Sequence, residues 1–200
     1  MPDGSHAGRV LPRDLTVHPV GPGDAELVRL FVNAERLAEI VRTGVLGHAG
    51  PDGALDLSLD QFVDAATGGA LTTYVTYGPD GSPATFAFGG RADPHTLTGG
   101  CINAPGVRGG VGFATASLAA MVEREFADPT LERVAVSVYR WNTPSVRMLE
   151  RLGFVAAPAG TVPVDPNAVD AEQSVVYVLH RAGWPGLAAF TARLHGPSAN

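Results

Sequence analysis

The sequence predicts a single α/β domain in which a mixed, mainly antiparallel sheet carries helices on both faces. Three observations predict it. Between residues 70 and 103, three segments with strand character are separated only by tight turns. A glycine-rich stretch, Gly109-Gly110-Val111-Gly112, then opens an amphipathic helix. An apolar, β-branched segment follows and leads straight into a second helix that ends at Leu152-Gly153-Phe154. Strands joined by short turns pair antiparallel, and helices joined to strands must bury their apolar stripes against the sheet.

The elements follow in order. Residues 1–13 are polar and are expected to be mobile. Leu15-Thr16-Val17-His18 reads as a first strand, broken by Gly21-Pro22-Gly23, with Asp24 as the cap of a helix. That helix carries Leu27, Leu30 and Phe31 and is expected to continue through Leu37 and Ile40. Residues 44–57 are Gly-rich and show no period. Ser58 is placed to cap a short helix bearing Leu59, Phe62, Val63 and Ala66. Residues 70–77 alternate as a strand, and Gly78-Pro79-Asp80-Gly81 turns the chain. Ala84, Phe86 and Phe88 mark the next strand, and residues 96–103 a third. In the helix after the glycine stretch, Leu118, Met121, Val122 and Phe126 form one stripe, and Asp128-Pro129 stops it. Residues 131–139 form a strand. Thr143, followed by Pro144, is expected to cap the next helix, with Val146, Leu149 and Leu152 facing the core and Gly153 in a left-handed stop. A last strand spans residues 174–179, and a short helix carries Leu187, Phe190 and Leu194. The domain is expected to span residues 14–185, with a C-terminal helix and tail over 186–200.

Composition narrows the function. Hydrophobic residues make up 45% of the 200, and the net charge is −6, with a pI near 5.4. Nucleic acid and anionic membranes are bound by clustered Lys and Arg, so neither is the expected partner. Cys101 is the only cysteine, which excludes an internal disulfide and a cysteine-rich zinc site; no metal is expected. No run of about 18 apolar residues predicts a membrane span. The opening residues lack the apolar core of a signal peptide, so a cytoplasmic location is the expectation.

A glycine-rich strand-to-helix turn is a physical anion site: its N–H groups are unpaired, the helix dipole favours negative charge, and glycine allows close approach. Taken alone, such a turn serves packing as often as binding. Here Gly112 lies thirty positions before Asn142, with one helix and one strand between them. Asn142-Thr143-Pro144-Ser145 then runs to Leu149-Glu150-Arg151-Leu152-Gly153-Phe154. This segment resembles the coenzyme-A-binding half of the GNAT acetyltransferase superfamily. The opening Leu15–Val20 with Asp24-Ala25-Glu26 is similar to the opening strand and helix of the superfamily, and the closing Val176–Pro185 resembles the closing strand of its ribosomal-protein N-acetyltransferase (Rim-type) branch. The resemblance spans about residues 14–185 and is loose between about 34 and 95.

The resemblance implies a GNAT fold in which the two strands flanking the first cofactor helix run parallel and splay apart. It implies acetyl-CoA as acyl donor and direct attack by an amine of a small molecule or a protein N-terminus. The pantetheine arm would pair near Ile102, Asn103 and Ala104, and a backbone N–H near Ile102 or Asn103 would hold the oxyanion. The pyrophosphate would lie on Arg108, Gly109, Gly110, Val111, Gly112, Phe113 and Ala114. Asn142 would contact the cofactor arm, and Ser145 would assist thiolate departure. Homodimers are common in the superfamily and are carried as an expectation.

Three departures stand against it. The family's turn begins on Gln or Arg, where this chain has Gly109, with Arg108 one position early. The tyrosine that many relatives place four residues after the serine is Leu149 here, which leaves Ser145 either as a hydrogen-bond donor to the thiolate or as a capping hydroxyl. Residues 96–103 carry no carboxylate to serve as base; Asp93, His95, His48 and Asp52 are the nearby candidates. Cys101 is read as a small core residue rather than a nucleophile. Tyr139, Arg140 and Trp141 border a pocket or pack the strand end, and Arg147 and Arg151 form a solvated pair or reach phosphate. Two alternatives therefore stay open: a GNAT-fold transferase using a longer acyl-CoA or an aminoacyl-tRNA, and a GNAT-fold binding protein without catalysis.

Overall fold

The computed structural model describes residues 15–42, 57–107, 112–158 and 173–195. They form a seven-stranded sheet in the order β1-β2-β3-β4-β5-β7-β6. Strands β2 (Thr72–Tyr77), β3 (Pro83–Asp93) and β4 (Thr96–Asn103) make the antiparallel meander predicted from the turns, and β1 (Thr16–Pro19) pairs antiparallel with β2 at its edge. Strand β5 (Arg133–Tyr139) is parallel to β4, and β7 (Ser174–His180) pairs antiparallel to β5. β6 (Val155–Ala156), which has no periodic signal of its own, pairs with β7 at the far edge.

Helices cover both faces. On one, α4 (Phe113–Glu125), α5 (Thr143–Leu152) and α6 (Leu187–His195) bury Leu118, Met121, Val122, Leu149, Leu152 and Phe190 against Leu97, Val134, Val136, Val138 and Leu179. On the other, α1 (Ala25–Phe31), α2 (Ala34–Arg42) and α3 (Leu59–Thr67) bury Val28, Phe31, Leu37, Ile40, Phe62, Val63 and Ala66 against Val75, Phe86 and Phe88. Phe86 sits centrally there, stacked on Phe31 (5.6 Å) and Phe88 (5.8 Å). Burying each such ring stabilises the fold by about 1.5–3 kcal/mol.

Local chemistry explains where the sequence reading held and where it failed. Ser58 caps α3 in a full capping box with Gln61. Gly153 takes the left-handed conformation at the end of α5, at φ 93°. The single helix expected from Asp24 through Ile40 is two helices. Val32 is extended, and Asn33 Oδ1 accepts the Arg36 N–H (2.9 Å), so α2 starts anew there. Asp24 caps no helix with its side chain; it accepts the Gly21 N–H instead (2.8 Å). The cap of α5 is Asn142, not Thr143: its Oδ1 accepts the Ser145 N–H, and Pro144 falls in the first turn. α6 is tied to α4 through Glu123, which accepts from Trp184 Nε1 (2.6 Å) and the Leu187 N–H (2.9 Å). The side chain of Leu194 lies outside the described residues, as do residues 1–14.

The β4–β5 pairing sets the site. It covers only Thr96↔Arg133, Leu97↔Val134 and Thr98↔Ala135. Beyond Thr98 the strands part, β4 staying with β3 and β5 with β7. At the fork, β3 and β4 approach closely through glycines. A Cβ on Gly99 would lie 2.2 Å from the Phe88 carbonyl oxygen and 2.9 Å from the Gly89 Cα. Both are backbone atoms and cannot swing away. Gly99→Ala is therefore expected to destabilise the protein by about 1–3 kcal/mol in urea unfolding, the range of core overpacking.

Candidate active site

Where β4 and β5 part, they enclose a cleft of about 390 Å³. Its walls include Gly100, Cys101, Ile102 and Asn103 from β4 and Val136, Ser137, Val138 and Tyr139 from β5. α2 contributes Arg36, Glu39 and Ile40, and Asn142, Ser145, Met148 and Leu149 close it from α5 and the turn before it. The splay thus brings together Ile102, Asn103, Asn142 and Ser145, which the sequence singled out.

The open edge of β4 can be read atom by atom. The Ala104 N–H donates to the Ala84 carbonyl (2.9 Å). Bonded and non-bonded pairs alternate along an antiparallel ladder, and the β3–β4 register runs unbroken from Thr85↔Asn103 to Arg91↔Leu97. The peptide groups of Ile102 and Gly100 therefore turn toward β3. Those of Gly99, Cys101 and Asn103 turn toward the cleft. The Asn103 carbonyl confirms this parity, since it accepts from the Arg36 guanidinium (3.1 Å). Of the two N–H groups expected to serve an oxyanion, that of Ile102 is committed to the sheet, and that of Asn103 faces the cleft. Ala104 is buried, with its N–H already used, and does not join the open edge.

Two helix N-termini stand at the open end. A strand–helix–strand crossover brings the helix back to where the first strand ended, so α4 begins at the Asn103 end of β4. Its cap, Gly112, is left-handed (φ 92°) and offers no side-chain bond, and the first turn contains no acidic residue. The N–H groups of Phe113, Ala114 and Thr115 therefore have no helical acceptor and face an anion-ready end. Arg108, Gly109, Gly110 and Val111, expected to complete this turn, lie outside the described residues. α5 begins at the same end. Asn142 caps it, which leaves the half-buried Ser145 hydroxyl out of the cap.

Other candidates fall elsewhere. Asp93 and His95 lie at the paired end of β4, where the His95 carbonyl accepts from Glu132 and Arg133 of the chain entering β5. At about 3.3 Å per residue, they are more than 20 Å along the strand from Asn103 and cannot act as base in the cleft. His48 and Asp52 lie outside the described residues. Arg147 and Arg151 are exposed on α5. Tyr139 stacks on Trp141 (centroids 5.1 Å, interplanar 13°), and Trp141 is 67% exposed at the cleft mouth. Among the described residues no three His, Cys, Asp or Glu side chains gather as a metal site, and no helix is long and apolar enough to cross a membrane.

Two residues in the cleft were missed. Arg36 braces the α1–α2 junction to the end of β4, donating to the carbonyls of Phe31 (2.9 Å) and Asn103. Glu39, one helical turn on, supplies the carboxylate that β4 lacks. Their 36/39/40 spacing with Ile40 was a legible helical face, but it lay in the stretch where the resemblance is loose.

Cys101 lines the cleft and packs against the α4-side core. Burial pushes its thiol from 9.0 up to about 12, so it is held neutral and is no nucleophile at physiological pH. The folded state keeps this proton where the unfolded chain releases it, so stability falls as pH rises from about 9 toward 12. Cys101→Ala is expected to flatten that slope in unfolding measured between pH 8 and 10, and to leave any catalytic turnover in place.

The chain was compared with known proteins. The family described as acetyltransferase (GNAT) domain matches residues 87–155, from β3 through β6. No curated protein matches the sequence. Among solved structures, the fold is similar to AAC(6')-Ib in complex with ribostamycin and coenzyme A, at 18% identity, covering 85% of this chain and 95% of that one, with TM-score 0.59. It is similar to RimJ of Mycobacterium smegmatis in complex with CoA-disulfide, at 21% identity, 91% and 89% coverage and TM-score 0.56. It is also similar to a mutant of the spermidine N-acetyltransferase SpeG of Vibrio cholerae, at 15% identity, 86% and 96% coverage and TM-score 0.57. At these identities the likeness is one of fold, and it agrees with the seven-stranded sheet and its splayed parallel pair. The family match thus covers residues 87–155, and over the rest of the domain the likeness is one of fold alone.

Proposed function

We propose that this protein transfers an acetyl group from acetyl-CoA to an amine by direct attack. The observation that carries the reading is the unpaired β4 edge facing a cleft with an uncapped helix N-terminus at its mouth. A pantetheine arm carries amides that such an edge can pair as an extra strand. A pyrophosphate is an anion that the first turn of α4 can hold. The acyl-donor class fits the residues present, because the cleft is neutral along β5 and carries no competing carboxylate on β4.

The chain's own groups then divide the work. The Asn103 N–H, with that of Cys101 below it, faces the region where negative charge develops on the carbonyl oxygen. Arg36 holds the Asn103 carbonyl, on the next peptide along the same open edge. The amine nitrogen forms the new bond to the acetyl carbon as the carbon–sulfur bond breaks, and the sulfur leaves with the electron pair. Ser145, at the α5 N-terminus, donates a hydrogen bond to that sulfur. Glu39, the carboxylate among the described lining residues, receives the amine's proton, directly or through water. The acceptor is an amine of a small molecule or a protein N-terminus.

Three outcomes are expected. Calorimetric titration should show saturable one-to-one binding of acetyl-CoA and of free coenzyme A. Binding without thiol release on a broad amine panel would instead favour a non-catalytic role, and no binding would remove the donor. Ser145→Ala should lower kcat by about tenfold with little change in acetyl-CoA affinity, and undiminished turnover would strip Ser145 of its role. Glu39→Gln should lower kcat by about 100-fold, the scale of a lost general base, and a wild-type rate would exclude it as the proton acceptor.

A further inference from the structure

We infer that Ser137 is the positioning residue for the acceptor amine, on the sheet face opposite α4. This rests on the acyl-transfer reading above. The argument begins with strand alternation. Val134, Val136 and Val138 pack into the core beneath α4 and α5, so Ala135, Ser137 and Tyr139 point to the other face. On β4, Leu97 and Cys101 share the α4-side core, whereas Ile102 packs with the α1–α3 core. Gly100 is in phase with Ile102 and lies on that second face.

Thr98 and Ala135 are the last paired residues of the parallel ladder. Two positions beyond them, Gly100 and Ser137 stand level with each other across the opening, on the same face. One carries no side chain and the other a hydroxyl, and both line the cleft. The Ser137 Oγ is buried and has no hydrogen-bond partner among the described residues. Buried hydroxyls are nearly always paired, and this one interrupts an otherwise apolar strand at the point where its neighbour has withdrawn. Its missing partner is a group that enters the cleft.

The sheet divides the two substrates. The unpaired β4 peptides and the α4 N-terminus hold the donor. Ser137 lies on the face that α2 overhangs, where Glu39 lines the same cleft. A neutral amine arriving from that side can donate one N–H to the Ser137 oxygen and aim its lone pair at the acetyl carbon. Tyr139, stacked on Trp141, lines the same cleft. The polar break in Val-Ala-Val-Ser-Val-Tyr was visible in the sequence, but its meaning depends on the fork.

The test uses the full-length protein with an amine that the wild type acetylates. Ser137→Ala should raise the acceptor KM about tenfold, the scale of one lost hydrogen bond. Acetyl-CoA affinity should not change, and the thermal midpoint should hold or rise, because the substitution removes an unsatisfied buried group. Ser137→Thr, which keeps the hydroxyl on a β-compatible side chain, should restore most of the loss. An unchanged acceptor KM in Ser137→Ala would overturn the assignment. So would weaker acetyl-CoA binding, which would give the hydroxyl to the donor, or a lowered midpoint with both substrates affected, which would make it structural. Absence of thiol release by the wild type on every amine would overturn the acyl-transfer reading itself, and this assignment with it.

Discussion

The site depends on one act of strand pairing that stops early. β4 and β5 share three residue pairs and then part. Each strand keeps its other neighbour, so neither loses its place in the sheet. What is given up is the ladder between them, and unpaired backbone groups inside a protein carry a free-energy cost unless something answers them. Water or a ligand must do so here. The cleft is therefore an extension of the sheet's own hydrogen-bonding requirement, with a strand position left open beside β4.

The parting is held from several sides. At the fork, Gly99 lets β3 and β4 meet more closely than a side chain there would allow. The closed end is fastened by Arg133, whose Nε donates to Thr96 Oγ1 (2.7 Å). Below it, the Arg181 guanidinium gathers the carbonyls of Phe126, Asp128 and Leu131, fixing the turn between α4 and β5. At the open end Arg36 reaches from α2 to the last carbonyl of β4. On the α4 side, Thr76 and Ser117 are hydrogen-bonded in the core and lock α4 to β2. Cleft geometry is thus set by contacts outside the cleft, which leaves its own walls free to bind.

Much of this was legible in the sequence. The meander followed from turn residues and alternation, because Gly78–Gly81 and Asp93-Pro94 admit little else. α3 and α5 announced themselves through Ser58 and through the Leu152-Gly153-Phe154 stop. Cap assignments were less secure. Asn142 and Thr143 are both good caps, and only the geometry shows that the Asn142 carboxamide reaches the Ser145 N–H. The break at Val32-Asn33 was hidden because the apolar pattern runs across it without changing phase. Site residues divided by the kind of information they require. Asn103, Asn142 and Ser145 sit in a patterned segment. Arg36, Glu39 and Ser137 matter only because three elements distant in sequence converge, and no local signal encodes that.

The same convergence shows how the proposed site can be built in a chain that lacks the tyrosine and the strand carboxylate many relatives carry. Leu149 is fully buried and completes the core under the cleft, so a tyrosine there would have to displace packing that stabilises α5. The polar groups lining the cleft stand at its rim: Ser145 on the first turn of α5, Glu39 on α2, and the Asn103 N–H on the β4 edge. Each is fixed by an element whose stability does not depend on it. α5 is capped by Asn142, α2 by Asn33, and β4 by its ladder to β3. Chemistry at the rim and packing beneath it are thereby separated. A substitution at the rim can therefore leave the β4–β5 fork and the core beneath it in place.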